Sequence, residues 1–296
     1  MHHGFLHVAI YGNVYQTKKN LYVKRILRKL QSMGVAISIE ERFATFIQAS
    51  LQTDLSGCEI FSSSCIPSAD VAISVGGDGT FLGTAAQIGR IGTPILGINT
   101  GRLGFLADIS PDVIDESLEA LCGGDYIVEE RAALQVSGDG PTALAWTFAL
   151  NEVAVLKHDN SSLIEISTHV DGNYLTSYLA DGLIISSPTG STGYSLSTGG
   201  PIVMPNLGAL CITAVAPHSL TVRPVVVRDD VSVTLRMNSR SHNFLLSADG
   251  HSQSLPDCTV LTVRKAPFTV KVLKIAHKHF FDTLREKMLW GIDQRK

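Results

Sequence analysis

The chain has 296 residues, 45% of them apolar and 17% charged, enough to bury one large or two ordinary cores. A formal net charge of −3, with basic residues scattered apart from a modest cluster near the C-terminus, argues against a nucleic-acid partner. Five cysteines, odd in number, widely spaced and without a CxxC pair, suggest neither a disulfide framework nor a zinc site, and no stretch reaches the ~18 uninterrupted apolar residues of a membrane span. A soluble protein of the reducing cytoplasm is expected.

Along the first hundred residues, strands and helices alternate. The run Leu6 to Tyr11 reads as a strand, about Thr17 to Met33 as a helix stopped by Gly34, and Val35 to Glu40 as the next strand. A helix near Phe43 to Leu51 follows. Then Val71-Ala72-Ile73-Ser74-Val75 forms a five-residue apolar run suited to a strand covered on both faces. It meets Gly76-Gly77-Asp78-Gly79-Thr80 directly, and Phe81-Leu82, Ala85-Ala86 and Ile88 resume at helical spacing.

Glycines at 76, 77 and 79 allow positive φ and close backbone approach, so the amides opening the next helix can face an anion. The spacing is neither the Walker pattern nor GxGxxG. A carboxylate beside phosphate-cradling amides repels the phosphate, unless Asp78 binds a metal or takes a proton from an attacking hydroxyl. The competing reading is a tight turn with Asp78 as a local cap.

The strand Ile95 to Ile98 and an amphipathic segment from Pro111, ending at Gly123-Gly124, close the alternating part. Beyond Asp125, strand-like runs succeed one another at 143–156, 163–170, 183–186, 210–216, 222–227, 231–236, 244–247, 259–264 and 268–275, with Asp171-Gly172 as a hairpin turn. The chain closes on a helix from Phe280 to Trp290 with apolar positions 280, 281, 284, 288 and 289 on one face.

The fold class expected is therefore α/β plus all-β. An N-terminal doubly wound nucleotide-binding domain (1–124) precedes a β-rich, sandwich-like C-terminal domain (125–275), and the final segment (276–296) packs back on the first.

A second constellation lies in Asp181 to Ser197, where an apolar strand leads into Thr189-Gly190-Ser191-Thr192-Gly193-Tyr194. Its hydroxyls and bare backbone suit sugar hydroxyls, an amide or a base edge, and Tyr194 offers a stacking face. A serine-rich turn capping a short helix explains the same residues.

Taken in order and at these separations, Gly76 to Thr80, Asn99-Thr100-Gly101-Arg102-Leu103-Gly104-Phe105-Leu106, Asn151-Glu152 and Asp181 to Pro201 resemble the NAD kinases. The likeness covers most of the chain from about residue 70 onward, while residues 1–65 fit only in pattern. It implies transfer of the terminal phosphate of ATP, or of inorganic polyphosphate, to the 2′-hydroxyl of the adenosine ribose of NAD, giving NADP. A divalent metal, Mg²⁺, would accompany ATP, and the chain would form a homodimer or homotetramer.

The resemblance implies roles for individual residues. Asp78 is the general base facing the ribose hydroxyl, with Gly77, Gly79 and Thr80 near substrate phosphates and Phe105 beside the adenine. Asn151 and Glu152 hold the ribose, and Asp181 binds a base or amide edge. Thr192, Gly193, Tyr194, Ser195 and Ser197 line the dinucleotide pocket. His251 stands where many relatives carry glutamine, Leu179 where many carry arginine, and Gly193 where alanine is commoner, a change expected to loosen the turn. These departures leave the choice between NAD and NADH open.

Two rival readings differ in class. Diacylglycerol, sphingosine and 6-phosphofructokinase-type kinases share the Gly-Gly-Asp-Gly-Thr turn, but the motifs at 99–105 and 181–197 have no counterpart in lipid kinases. A silent NAD(H)-binding regulator would be expected to lose Asp78 or its glycines, and both are present.

Overall fold

Strands and helices alternate through the first unit as the apolar periodicity dictates. In a computed structural model, which describes residues 6–14, 20–101, 104–158, 162–275 and 279–288, the chain opens with β1 (His7–Gly12), α1 (Asn20–Ser32), β2 (Ala36–Glu40), α2 (Glu41–Leu51) and β3 (Glu59–Phe61). It continues with β4 (Val71–Gly76), α3 (Asp78–Ile88), β5 (Ile95–Asn99) and α4 (Ile114–Gly123). The start of the first expected helix, at 17–19, lies outside the described residues, as do Arg102, Leu103 and the expected helical positions 289 and 290.

The strands pair in parallel in the order β5-β4-β1-β2-β3, and Val272 and Leu273 extend the sheet beside β5. Side chains alternate across the pleat. Val8, Ile10, Ile73, Val75, Leu96 and Ile98 share a core with α1, α2 and α4, whereas Gly97, on the other face, lies against Phe81 of α3. Both faces are covered, which is why β4 and β5 carry uninterrupted apolar runs. Strand order reverses between β1 and β4, and ligands of such sheets bind outside the carboxyl ends of the strands at that reversal, here Gly12 and Gly76.

From β6 (Tyr126–Asp139) onward the described strands of the second unit run antiparallel. They are β7 (Phe148–Ala149), β8 (Glu152–Lys157), β9 (Ile164–Val170), β10 (Asn173–Ala180) and β11 (Gly182–Ser186). After the single turn α5 (Tyr194–Ser197) come β12 (Ala209–Val215), β13 (Val225–Arg228), β14 (Val233–Asn238), β15 (Asn243–Ala248), β16 (His251–Pro256) and β17 (Val260–Ile275). One sheet runs β13-β12-β11-β8-β15-β16; the other contains β10-β9-β14-β17 with β6 beside β17. Val153, Val155, Leu183, Ile185, Ile212, Ile166, Leu235 and Val263 meet in one core, so the two sheets form a sandwich. Asp171 and Gly172 both take positive φ between Val170 and Asn173, the two-residue hairpin turn the sequence announces.

Three differences from the sequence reading have local causes. The 143–156 run splits into β7 and β8 because Asp249 grips the backbone at 150–152. Strand β16, His-Ser-Gln-Ser-Leu-Pro, is largely polar and exposed, and β6 interleaves charges with its apolar residues. Contacts divide the chain into Met1–Glu129 with Lys271–Lys296, and Glu130–Val270. Helix α6 (Phe280–Met288) belongs to the first unit, where Phe280 packs against Phe105 at a ring separation of 6.1 Å. Among the described residues no helix is long and apolar enough to cross a membrane.

Candidate active site

At the carboxyl end of β4 the glycines act differently from the expectation. None of Gly76, Gly77 and Gly79 has positive φ. Gly76 is required by contact: a Cβ there would lie 2.2 Å from the Thr80 hydroxyl oxygen. Gly77, which precedes α3 in extended conformation, and Gly79, in its first turn, face open space instead, leaving a bare backbone surface at the helix N-terminus.

Asp78, the first residue of α3, reaches back across the next strand's loop. Its Oδ1 accepts hydrogen bonds from the backbone N–H of Leu106 (3.1 Å) and Ala107 (3.0 Å), and Oδ2 from that of Phe105 (2.9 Å). Asn99 braces the same loop by donating to the Ala107 carbonyl at 3.2 Å and accepting from the Gly101 N–H. Gly104 leaves no room for a side chain, since a Cβ would stand 1.8 Å from Asp78 Oδ1. Substituting Gly104 with alanine should therefore break this clamp. The expected result is a thermal midpoint lowered by the equivalent of about 1–3 kcal/mol, the usual range for overpacking, together with loss of activity, read by thermal melts and by turnover.

Above the clamp sits Lys287 of α6, a residue that no sequence motif marked. Its Nζ lies 3.5 Å from Asp78 Oδ2 and 4.5 Å from the centre of the Phe105 ring. Phe105, half-buried between Phe280 and this ammonium, is part of the wall that holds the loop.

A cavity of about 620 Å³ in the first unit begins at the residues that follow Asp78 in α3. Gly79, Thr80, Gly83 and Thr84 line it with one small-residue face of α3, opposite Tyr11, Asn13, Glu40 and Arg42. Glu40 caps α2 by accepting from Phe43 N–H at 3.0 Å. Burial, and secondarily the Glu40 charge, push the Tyr11 phenol well above its ordinary pKa, so it stays protonated as a donor. Among the described residues no group of three or more His, Cys, Asp or Glu side chains is arranged to hold a metal ion.

In the second unit, Asp249 and Gly250 form a two-residue hairpin turn with positive φ at both. The Asp249 carboxylate accepts from the N–H groups of Leu150 (2.7 Å), Asn151 (2.8 Å) and Glu152 (3.1 Å), fixing Asn151 and Glu152 at the head of β8. Asn151 Oδ1 and Glu152 Oε2 are buried without a protein partner. Burial and the Asp249 charge push the Glu152 carboxyl up to about 7, against the pull of the Tyr194 N–H. Gly190 is obligatory, because a Cβ would come 2.1 Å from the Asn151 carbonyl oxygen. At Gly193 a Cβ would sit 3.1 Å from Glu152 Oε2, so this glycine gives the carboxyl space rather than loosening a turn.

The hydroxyl-rich loop spends most of its hydroxyls on itself. Ser187 donates to the Leu150 carbonyl at 2.6 Å, and Ser191 to that of Pro188 at 2.7 Å. Ser195, expected along a dinucleotide pocket, is fully buried 3.2 Å from the Thr213 hydroxyl, so it supports the loop from behind. Tyr194 and Ser197 are exposed and Thr192 is partly so. Asp181 forms an ion pair with Lys157 at 2.6 Å, which occupies the carboxylate expected to meet a base edge. His251 stacks on Trp146 with rings 5.2 Å apart and 13° from parallel. Trp146 was unmarked in the sequence; Gln253 secures its loop by accepting from Ala145 N–H at 2.7 Å and donating to the Ala143 carbonyl at 2.9 Å.

Comparison with known proteins gives concordant findings. A family model described as the ATP-NAD kinase N-terminal domain matches residues 13–126, and one described as the ATP-NAD kinase C-terminal domain matches residues 150–275. The NAD kinase of Bacteroides fragilis is 48% identical over 287 residues, 97% of this chain and 99% of that protein. That of Porphyromonas gingivalis is 39% identical over 285 residues, 96% of this chain and 98% of the relative. Among solved structures, an NAD kinase from Archaeoglobus fulgidus in complex with ATP superposes with a TM-score of 0.73 at 28% identity, covering 96% of this chain and 99% of that one. Yeast NADH kinase complexed with NADH gives 0.86 at 22% identity, covering 99% and 90%, a likeness of fold.

Proposed function

We propose that this chain, which belongs to the NAD kinase family and phosphorylates NAD, transfers the terminal phosphate of ATP to the 2′-hydroxyl of the adenosine ribose, with Asp78 receiving the hydroxyl proton. The observation that carries the role of Asp78 is its place. It is an ionisable carboxylate at the strand-order reversal, beside the bare N-terminal backbone of α3 and the 620 Å³ cavity.

A sugar hydroxyl is a poor nucleophile, and the transition state of phosphoryl transfer is loose, so alignment supplies most of the acceleration and proton transfer comes late. An ionised carboxylate has about four lone-pair directions; the amides of 105–107 use three, leaving one on Oδ2 for the hydroxyl. As the new O–P bond forms, the bond from phosphorus to the leaving oxygen of ADP breaks, and the proton passes to Asp78. The cavity lined by Thr80, Arg42 and Tyr11 suits the phosphate donor, and Mg²⁺ arrives with ATP as part of that substrate.

In the second unit Asn151 and Glu152, with buried oxygens lacking protein partners, suit ribose hydroxyls, and Tyr194 and the stacked His251 suit flat rings of the dinucleotide. Inorganic polyphosphate as an alternative donor, the cytoplasm as compartment and a homodimer or homotetramer belong to the same reading. Five free thiols and the exposed Leu207, Leu220 and Val226 of the second unit support the last two.

The test is formation of NADP by the purified chain from NAD or NADH with Mg-ATP or polyphosphate. Turnover of NAD with Mg-ATP is the expected result; binding of NAD without turnover under any donor would overturn the assignment.

A further inference from the structure

The ammonium of Lys287 lies 3.5 Å from Asp78 Oδ2, the carboxylate oxygen that accepts only one backbone N–H. Three amides already satisfy the carboxylate, so Lys287 is not needed to compensate its burial. An ion pair this exposed, with the lysine side chain 31% and the aspartate 29% accessible, contributes little to stability. Its placement is nevertheless specific. Helix α6 buries Thr283 and Leu284, Phe280 meets Phe105, and the lysine stem is brought over the Phe105 ring with Nζ 4.5 Å from its centre. The aromatic face offers the cation a second resting place off the carboxylate.

We infer that Lys287 is a catalytic cation that exchanges partners during the reaction, masking Asp78 at rest and moving onto the transferred phosphoryl group when the donor binds. This inference rests on Asp78 being the proton acceptor. A polyphosphate chain arriving at the α3 N-terminus presents several negative charges against the single charge of Asp78, and it draws the flexible ammonium across a short distance. Departure of Nζ uncovers Oδ2 for the ribose hydroxyl, and the ammonium then faces the equatorial oxygens where charge lies in the transition state. Donor binding and release of the base are thereby one event. The step balances without a proton passing to or from Lys287: the O–P bond forms, the P–O bond to the departing ADP breaks with its electron pair, and the hydroxyl proton goes to Asp78.

The experiment compares K287M, K287R and D78N in the full chain, with steady-state kinetics for NAD and Mg-ATP and thermal melts. K287M should lose about 100-fold in kcat, the scale of removing one preorganised donor, while KM for NAD stays within about twofold. K287R should recover at least about a tenth of the parental kcat, because it restores the charge but not the point-like ammonium. Thermal midpoints should shift by no more than about 2 °C, as for an exposed pair. Unchanged kcat in K287M overturns the inference, as does a K287R variant no more active than K287M. A dead D78N beside a normal K287M removes the lysine's role alone, whereas an active D78N removes the assignment of Asp78 itself.

Discussion

Replacing Asp78 with asparagine should reduce NADP formation by about 10³-fold, within the range supplied by a positioned general base, while NAD affinity changes no more than about twofold. Asparagine keeps the shape of the side chain but has one acceptor oxygen. That oxygen can still take the N–H groups of Leu106 and Ala107, which meet Oδ1 in the parent. The amide NH₂ would then confront the Phe105 N–H, donor against donor, where Oδ2 accepts at 2.9 Å. One partly buried bond is lost, a cost of at most about 1–3 kcal/mol, so the variant should fold with a lowered thermal midpoint. Turnover by coupled assay, NAD binding by calorimetry and a melt separate the chemical loss from the structural one. If D78N retained a tenth of parental turnover, Asp78 would be a clamp for the 104–107 loop and no more, and the proton acceptor would have to be sought elsewhere.

The dual burden on Asp78 explains how far sequence reasoning reaches. A five-residue apolar run entering glycines and then helical spacing is a local signal, and it correctly places strand, turn and helix at 71–88. The hairpin turn at Asp171-Gly172 is equally local, because two consecutive positive φ values demand such residues; the same pair at Asp249-Gly250 is a turn the sequence reading missed. The purpose of a glycine is not local. Gly104 is fixed by a side chain 26 positions earlier, Gly190 by a carbonyl at Asn151 and Gly97 by Ala107, none of which composition can reveal. Nor does a hydroxyl count show direction: Ser195 and Ser191 point inward and Tyr194 outward on one short loop. Lys287 lies 209 positions from the carboxylate it meets, on a helix whose amphipathic pattern says only that it docks. Three amides converging on Asp249 come from the start of a strand almost a hundred residues away, and this is also why the 143–156 run is interrupted there.

Asp249 in turn makes Glu152 the residue whose charge should be measurable near neutral pH. Its carboxyl is pushed up to about 7 from an ordinary value of 4.5, first by burial and second by the Asp249 carboxylate, whose own pKa burial raises against the pull of three amides and of His251. A folded-state pKa above the unfolded one means the folded chain binds this proton more tightly. The associated stability is complete below pH 4.5 and is lost as pH rises through 7, a difference on the order of 3 kcal/mol. The melting midpoint of the parent should therefore fall between pH 5 and pH 8 relative to that of Glu152→Gln, which carries no proton to lose. A ribose diol donating to the ionised carboxylate favours that form, so NAD binding at pH 7 should release a fraction of a proton and tighten toward pH 8. Calorimetry in two buffers of different ionisation enthalpy reads the released proton directly. Equal proton release by E152Q and the parent would move the titration off Glu152 and overturn the claim that Glu152 touches the dinucleotide.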